Sequence, residues 1–284
     1  MEEHEGLTIR FLYGTALGRL CLKALIRPAF SQRMARLLSA SFSRAFIRPY
    51  IRHHHVLMDG YERKNYRSFN DFFTRRRRPE FLRIDPEPGH LISPCDSLLT
   101  AYPIAEGSRF RIKRSTYSLE ELLRDRLLAE RYAGGYCLIF RLTPGHYHRY
   151  CYIDDGRKGE NFSLPGVLHS VRPLCCGTYP VYVQNQREYT VMDTVHFGRV
   201  IQVEVGALMV GKICNEHGPG RISRGQEKGH FEFGGSTILL LLEPGVVELE
   251  RQILRRTARG QECPVRQGQQ IGSALGAMGG KEIR

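Results

Sequence analysis

The chain has 284 residues, of which 42 are Lys or Arg and 29 are Asp or Glu, and its formal net charge is +13. With 42% hydrophobic residues it can bury a core, so wholesale disorder is excluded. No run of about 18 apolar residues occurs, and we therefore expect no single-span membrane helix. The acidic start Met1–Glu5 is unlike a secretory signal, and the eight cysteines contain no CxxC pair. These features predict a basic globular protein inside the cell, with reduced thiols and no zinc cluster.

The excess positive charge is concentrated near the beginning of the chain. Nine basic residues and no acidic residue lie within residues 10–58. Apolar residues recur on one helical face over residues 9–25, and Pro28 interrupts this pattern before a second helical stretch that ends at Pro49. We interpret residues 1–65 as a basic amphipathic helical region. Such a region fits a subdomain packed on the core, contact with anionic lipid, or nucleic-acid binding, and no zinc-finger, RNA-recognition or helix-turn-helix signature supports the last.

After about residue 65, short apolar segments broken by Gly and Pro predict strands. The alternation in Arg199–Val205 predicts a half-buried strand, and the aliphatic run Ile238–Leu242 predicts a fully buried one. One helix is expected at Ser118–Arg131, with Ser118 as its N-cap. We expect the glycine-containing tail Arg255–Arg284 to be poorly ordered. Two further strands are predicted, at Tyr136–Leu142 and Thr178–Gln184.

Four short segments carry residues suited to chemistry. They are Ser93-Pro94-Cys95-Asp96-Ser97, Arg141–Tyr150, Val205–Gly211 and Phe231–Thr237. Taken singly, each has an ordinary structural interpretation: Asp96 as a turn residue, His148 as a satisfied polar side chain, Gly206 and Gly211 as marks of a bulge or close backbone approach, and Gly-Gly-Ser-Thr as a plain turn. A serine activated by an aspartate and a histidine from the other segments would explain all three polar residues together.

In this order, the segments resemble those of phosphatidylserine decarboxylase, the self-processing pyruvoyl enzyme. The resemblance runs from Ser68–Arg75 (SFNDFFTR) to the strand that ends at Leu242. It includes Ser-Pro-x-Asp, Tyr-His-Arg, Val-Gly-Ala-x-x-Val-Gly, and a Gly-Ser-Thr site preceded by Gly229–Phe233. The stretch Tyr147–Asp154 and the sequence Gly-Gly-Ser-Thr look like the branch often called type II.

The resemblance implies a proenzyme that cuts itself between Gly235 and Ser236. Ser236 Oγ would attack the Gly235 carbonyl, and elimination would leave a pyruvoyl group, the cofactor, at the start of a small chain of residues 236–284. That group would form a Schiff base with the amine of phosphatidylserine and accept the electrons left when CO2 departs, giving phosphatidylethanolamine in phospholipid biosynthesis. The chains 1–235 and 236–284 would stay associated. No metal is implied, no nucleic acid is expected, and homo-oligomer formation stays open.

Carried over residue by residue, the resemblance makes Ser236 the cleavage and pyruvoyl residue and Asp96 the acid of a triad. A histidine of the Tyr-His-Arg segment would be the base. Many relatives have a second histidine three residues later, where this chain has Cys151, and a thiol is a poor general base because its pKa lies above that of histidine. We therefore expect His148 to be the base or proton donor. His169 is the reserve candidate, and His146 ranks third.

For the fold we expect an α+β protein with an α-helical N-terminal region and a β-rich catalytic domain of mostly antiparallel strands over residues 66–284. The cleavage site should begin a core strand, so that the product chains interlock. The resemblance implies a peripheral location on the cytoplasmic side of the cell membrane, with phosphatidylserine in an anionic membrane as partner.

The alternatives are a serine hydrolase or acyltransferase that uses intact Ser236, although the Gly-x-Ser-x-Gly elbow is missing, and a non-catalytic basic protein that binds lipid or nucleic acid. A pyruvoyl decarboxylase acting on another amine-bearing carboxylate also stays open.

Overall fold

The structure is a computed structural model that describes residues 7–62, 64–112, 115–176, 179–208, 212–233 and 236–276. Helices dominate the beginning of the chain and mostly antiparallel strands follow, which confirms the α+β expectation. The α-helices are α1 (Leu7–Gly14), α2 (Ala16–Leu25), α3 (Pro28–Ser39), α4 (Ile47–His53), α5 (Phe69–Phe73), α6 (Leu119–Leu123), α7 (Arg126–Glu130), α8 (Pro173–Cys176), α9 (Val181–Gln184) and α10 (Arg251–Ala258). The strands are β1 (His90–Ile92), β2 (Ser97–Pro103), β3 (Arg109–Ile112), β4 (Ser115–Ser118), β5 (Tyr136–Leu142), β6 (Arg149–Cys151), β7 (Gly156–Leu164), β8 (Arg187–Thr194), β9 (Arg199–Val205), β10 (Ile213–Asn215), β11 (Gly220–Ile222), β12 (Glu227–Phe231), β13 (Ser236–Leu242), β14 (Val247–Leu249), β15 (Cys263–Val265) and β16 (Gln270–Ala274).

The predicted first helix is divided in two, because Thr15 begins a new helix by accepting a hydrogen bond from the Gly18 N–H. The predicted break at Pro28 is confirmed, since this proline is the first residue of α3. The predicted end at Pro49 is wrong. Pro49 lies in the first turn of α4, where its missing N–H removes no hydrogen bond from the helix. None of the helices in the described part of the chain is long and apolar enough to cross a bilayer.

The centre of the fold is an antiparallel sheet of eight strands in the order β11-β7-β8-β9-β13-β5-β2-β15. Strand β13 lies between β9 and β5, and all its residues are buried, as its aliphatic run predicts. One face of the sheet packs against α1, α2 and other helices, with Tyr13, Leu22, Val203, Leu239 and Leu241 in its core. The opposite face packs against two three-stranded sheets, β1-β16-β14 and β10-β12-β6, and α10, with Phe140, Tyr150, Ile238, Leu240 and Ile253 in its core.

Three local predictions needed correction. Strand β9 has the predicted bounds, but it is almost fully buried instead of half-buried, because its polar residues Gln202 and Glu204 have buried partners. The predicted strand Thr178–Gln184 is helix α9 over Val181–Gln184, and Thr178 lies outside the described residues. The expected helix at Ser118–Arg131 is two short helices with Ser118 as the first N-cap, divided where Arg124 adopts a left-handed conformation with φ +54°.

The expectation of a poorly ordered tail is wrong for residues 255–276, and residues 277–284 lie outside the described residues. Strand β16 is the middle strand between β1 and β14, so backbone hydrogen bonds order a segment that has few large apolar side chains. Gly272 permits this pairing, because a Cβ at that position would lie 2.7 Å from the carbonyl oxygen of Glu248. Glycine here is therefore a sign of close strand packing and not of disorder.

Candidate active site

The four chemically suited segments meet at one end of the central strands of the eight-stranded sheet. We call this end of the strands the site edge. Thr237 of β13 is opposite Arg141 of β5 and Val205 of β9. Arg141 is also opposite Leu98 of β2. Because β2 and β13 both run antiparallel to β5, they begin at the edge where β5 and β9 end. The segments before β2, after β5, after β9 and before β13 therefore lie at the same edge.

Ser236 is the first residue of β13, as expected for a cleavage site at the start of a core strand. Its side chain is fully buried, and Leu142 is its neighbour on β5. Its Oγ has no hydrogen-bond partner among the residues that the structure describes. An unpaired buried hydroxyl costs about 1–3 kcal/mol, which makes this position suited to a reactive group. Gly235, the other residue of the predicted cleavage site, lies outside the described residues.

His148 is fully buried in the segment between β5 and β6, close to the chain that leads to Ser236. Its Nδ1 lies 3.0 Å from the carbonyl oxygen of His146. Because a carbonyl oxygen only accepts, Nδ1 carries the proton and Nε2 is the nitrogen with the basic lone pair. The His148 carbonyl accepts a hydrogen bond of 2.9 Å from the N–H of Phe231, five residues before Ser236.

Helix α5 holds both His148 and the segment before Ser236. The ring of Phe73 lies 4.2 Å from the His148 ring and 5.3 Å from the ring of Phe233, centroid to centroid. The ring of Phe69, one helical turn earlier, also contacts Phe233, at 5.0 Å. The N–H of Phe233 donates to Oδ1 of Asn70 at 3.3 Å. The SFNDFFTR motif is thus a packing element that positions the predicted base and the predicted cleavage segment together.

Asp96 lies one residue before β2, at the same edge as Ser236 and separated from β13 by β5. A strand spacing of about 4.8 Å puts β2 and β13 roughly 10 Å apart. The Asp96 carboxylate accepts a hydrogen bond of 2.6 Å from Nη2 of Arg77 and one of 2.9 Å from the N–H of Gln267. Within the described ranges no histidine ring hydrogen-bonds to this carboxylate, so its role as acid of a triad stays a prediction.

The basic run Arg75–Arg78 is part of the site's framework. Arg75 is only 1% exposed, and its guanidinium lies 4.5 Å from the centre of the Tyr61 ring. Arg77 forms the ion pair with Asp96, in which both side chains are largely buried. The sequence alone predicts a charged run here but not that two of its arginines point inward.

His169, the reserve candidate, lies at the same sheet edge on the side of β9. Nδ2 of Asn185 donates to the carbonyl oxygen of His169 at 2.8 Å and to that of Gly206, the residue after β9, at 2.7 Å. The Tyr13 hydroxyl accepts from the Ser170 N–H at 2.9 Å and lies 3.2 Å from Nδ1 of His169. Tyr13 is therefore able to donate to Nδ1, which places the proton of the neutral ring on Nε2.

His146, the third candidate, and Cys151, which was expected to be a poor base, both have structural positions. Nδ1 of His146 accepts a hydrogen bond of 3.0 Å from the N–H of Thr143 and so holds the turn after β5. Cys151 is fully buried in β6, and this burial raises the pKa of its thiol to about 12. The thiol therefore keeps its proton near neutrality, which agrees with the expectation that Cys151 is a poor base.

The sequence analysis missed a buried charged pair on the same face of the sheet as Ser236. Nζ of Lys228 lies 2.8 Å from Oε1 of Glu204 and 2.7 Å from Oδ1 of Asn215, and both members of the pair are 0% exposed. Burial raises the pKa of Glu204, and Lys228 opposes this shift. Glu204 is opposite Ile238, two residues along β13 from Ser236. The alternation in β9 predicted Glu204 on the polar side of a half-buried strand, and no pattern in the sequence indicated that it is buried with Lys228 as its partner.

Comparison with known proteins identifies the family. A family model described as phosphatidylserine decarboxylase matches residues 69–273. The chain belongs to the phosphatidylserine decarboxylase family. This confirms the resemblance drawn from the four segments and from the SFNDFFTR motif.

Full-length relatives support the same family. The chain is 43% identical over 272 residues to phosphatidylserine decarboxylase proenzyme 2 of Clostridium acetobutylicum, which covers 95% of this chain and 93% of that protein. It is 38% identical over 276 residues to the phosphatidylserine decarboxylase proenzyme of Ruminiclostridium cellulolyticum, covering 95% and 92% of the two chains. The identity to the phosphatidylserine decarboxylase proenzyme of Chlamydia muridarum is 36% over 274 residues, covering 93% and 90%. The word proenzyme in these names says that the relatives are made as precursors.

The buried His169 predicts a loss of stability in acid. Burial lowers the pKa of His169 from its ordinary value of 6.5. Below pH 6.5 the imidazole of His169 therefore binds a proton more readily in the unfolded chain than in the folded chain. The contribution of neutral His169 to the stability of the folded chain is therefore complete above about pH 6.5 and is lost as the pH falls. Thermal unfolding would be measured at about pH 7.5 and about pH 5. Between these two pH values the Tm of His169→Gln should fall less than the Tm of the unchanged chain. Replacement of the exposed His53 by Gln is the control, and equal losses in all three proteins would contradict the prediction.

Proposed function

We propose that this chain is a self-processing decarboxylase that converts phosphatidylserine to phosphatidylethanolamine. The observation that carries this proposal is the place of Ser236 in a chain of this family. Ser236 begins the central strand at the edge where all four segments meet, and its buried hydroxyl has no hydrogen-bond partner within the ranges that the structure describes. An intact-serine hydrolase or a non-catalytic binding protein has less support, because the relatives are named decarboxylase proenzymes.

In the proposed self-cleavage, Nε2 of His148 takes the proton of Ser236 Oγ, which attacks the carbonyl carbon of Gly235. The C–N bond between the two residues breaks as the C–O bond forms, so an ester replaces the peptide bond. Elimination across Cα and Cβ of Ser236 then releases Gly235 as a carboxylate. Hydrolysis with loss of ammonia leaves a pyruvoyl group as the first residue of chain 236–284.

The position of Ser236 fits a group of this kind. Strand β13 is held between β5 and β9, and the residue at its start is buried next to Leu142, so the group would be fixed and shielded from bulk water. When present, a pyruvoyl group supplies a ketone that takes up the substrate amine and an electron sink for the pair left by CO2. We propose that His148 then donates the proton that replaces CO2 on the substrate carbon.

The proposed product chains would remain together. Chain 236–284 contributes β13 to the centre of the large sheet, β15 to its edge, and β14 and β16 to the sheet that contains β1. Hydrogen bonds to β5, β9, β2 and β1 therefore join it to chain 1–235 along four strands. Cleavage at the start of β13 would leave all these contacts in place.

We propose that residues 1–65 bring the enzyme to the cytoplasmic face of an anionic membrane. On α2 the apolar side chains of Leu17 and Leu20 are 63% and 64% exposed, whereas Leu22 on the other side is buried. Arg19, Lys23 and Arg27 are exposed on the same segment. Exposed apolar residues beside basic ones provide shallow insertion together with attraction to anionic headgroups.

Self-cleavage predicts two chains from one gene product. Intact-protein mass spectrometry should find residues 1–235 and residues 236–284, the latter beginning with a pyruvoyl group. Ser236→Ala should give a single uncut chain. Ser97→Ala is the matched control, because Ser97 is also fully buried and begins β2 at the same edge. A single uncut chain from the unchanged gene would overturn the proposal.

The roles of His148 and Asp96 predict a slower self-cleavage in their variants. Loss of a general base typically costs about 10²–10⁴ in rate, so His148→Gln should slow the appearance of the two chains by about a hundredfold or more. Asp96→Asn should slow it by at least about tenfold, since a carboxylate supports the charged state of the base. The reaction would be followed by gel electrophoresis during cell-free synthesis.

Two controls match these variants. His196→Gln replaces a histidine that is bound to Asp154 at the opposite end of β8 and β9, and Glu262→Gln replaces a carboxylate that is paired with Arg141. Both should leave the cleavage rate unchanged. Cleavage of His148→Gln at the unchanged rate would exclude His148 as the base.

The membrane contact predicts that the charge on α2 and on Arg27, the residue before α3, governs binding to anionic vesicles. Each basic residue near such a surface adds about 1 kcal/mol, so reversing Arg19, Lys23 and Arg27 to Glu should lower partitioning into phosphatidylserine vesicles by about a hundredfold or more. Vesicle flotation would measure this, with self-cleavage unaffected. The control is the reversal of Arg251, Arg255 and Arg259, which are exposed with the same spacing near α10. Equal binding of both triple variants would refute the contact.

A further inference from the structure

Three metal-ligating side chains lie together on the sheet β10-β12-β6. Cys214 of β10 is directly opposite His230 of β12 in antiparallel register. Glu232 follows two residues after His230 and lies on the same face, because side chains alternate along an extended chain. Sγ of Cys214, a ring nitrogen of His230 and a carboxylate oxygen of Glu232 all lie within 4.8 Å of one another. No step of the proposed reaction uses these three residues.

We propose that Cys214, His230 and Glu232 form a binding site for a divalent transition-metal ion of the Zn²⁺ type. A thiolate, an imidazole and a carboxylate form the mixed sulfur, nitrogen and oxygen set that Zn²⁺ accepts, whereas Mg²⁺ and Ca²⁺ prefer oxygen alone. Tetrahedral bonds of about 2.0–2.3 Å place neighbouring ligand atoms roughly 3.3–3.8 Å apart. Sγ of Cys214 already lies 3.8 Å from Oε1 of Glu232. Three ligands leave a fourth position for water.

A fourth residue orients the imidazole as it is oriented in known metal centres. Oε1 of Glu216 lies 3.0 Å from Nδ1 of His230. Since an ionised carboxylate only accepts, Nδ1 donates to Glu216 and Nε2 keeps the lone pair that a metal needs. Pairs of carboxylate and histidine of this kind fix the tautomer and raise the basicity of the metal-binding nitrogen. Glu216 lies two residues after Cys214 and so belongs to the same face of the ribbon.

Lys212 shows that this face attracts a cation. Its ammonium group forms an ion pair with the Glu232 carboxylate, and its side chain is 63% exposed. A side chain with this exposure moves into water at low cost, so a bound metal ion would displace it from Glu232. Lys212 is therefore a competitor of the metal ion, and its removal should strengthen metal binding.

The donors were not apparent as a set in the sequence because they lie on two separate strands. Cys214 and Glu216 precede a turn and another short strand, and His230 and Glu232 follow them, so only the strand register joins the pairs. All four residues lie in chain 1–235, so the site would survive cleavage. The inference is independent of the proposed function.

The test uses the full protein, freed of metal by dialysis against a chelator. Equilibrium dialysis should show one equivalent of Zn²⁺ bound, and Co²⁺ in place of Zn²⁺ should give a thiolate-to-cobalt charge-transfer band in the near ultraviolet. Cys214→Ser should remove this band, and His230→Gln should lower the Zn²⁺ affinity by about a hundredfold or more. Loss of an outer carboxylate typically costs 10–100-fold, so Glu216→Gln should lower the affinity by at least about tenfold.

Two variants guard against loss of folding and against unspecific binding. Lys212→Met, at an exposed position, should raise the Zn²⁺ affinity several-fold. Cys263→Ser, which replaces a partly buried cysteine on β15, should change neither the affinity nor the cobalt band. Metal ions bound by the His53-His54-His55 run would give no thiolate-to-cobalt band, and this binding would persist in Cys214→Ser. That result, or the absence of one bound equivalent, would overturn the proposal.

Discussion

Burial of β13 on both faces and along both edges is the constraint on which the rest of the structure depends. A strand whose residues are all buried must have its backbone paired on both sides, and β5 and β9 provide this pairing. Antiparallel pairing then decides where the neighbouring segments begin and end. The chain therefore cannot place Ser236 at the start of β13 without also gathering the segments that contain Asp96, His148 and Gly206 at the same edge.

This arrangement makes polar groups at the edge depend on one another. A buried charge needs a partner, and the structure supplies Arg77 for Asp96 and Lys228 for Glu204. Among the described residues the Oγ of Ser236 has no such partner. Groups held by fixed partners cannot reorganise, so a reaction at Ser236 would take place in surroundings that are already oriented. Leaving this one hydroxyl without a partner in the described ranges costs little free energy compared with the stabilisation that burial of the surrounding aliphatic side chains provides.

What could be predicted from the sequence depended on whether local pattern or distant contact decided the structure. The run Ile238–Leu242 identified a buried strand because only a core accepts five adjacent aliphatic side chains. Strand β16 was missed because pairing with β1 and β14, and not its side chains, orders it. The family motifs indicated the class of chemistry, but the ion pair between Arg77 and Asp96 joins residues 19 positions apart and has no periodic signal. Register, more than composition, therefore decides which candidate side chains can meet.

The N-terminal helices connect the surface of the molecule to the same edge. On α1, Leu7 is 86% exposed and Phe11 43%, whereas Tyr13 is 4% exposed and reaches His169 through its hydroxyl. A helix with its side chains is about 10–12 Å across, so the outward apolar residues of α1 and the ring of His169 are separated by little more than one helix. Tyr13 packs in the core on the sheet face opposite to that of Ser236, so α1 approaches this end of the sheet from the other side. Helices α3 and α4 instead reach the segment before Ser236, through the cluster that contains Leu38, Tyr50 and Phe233.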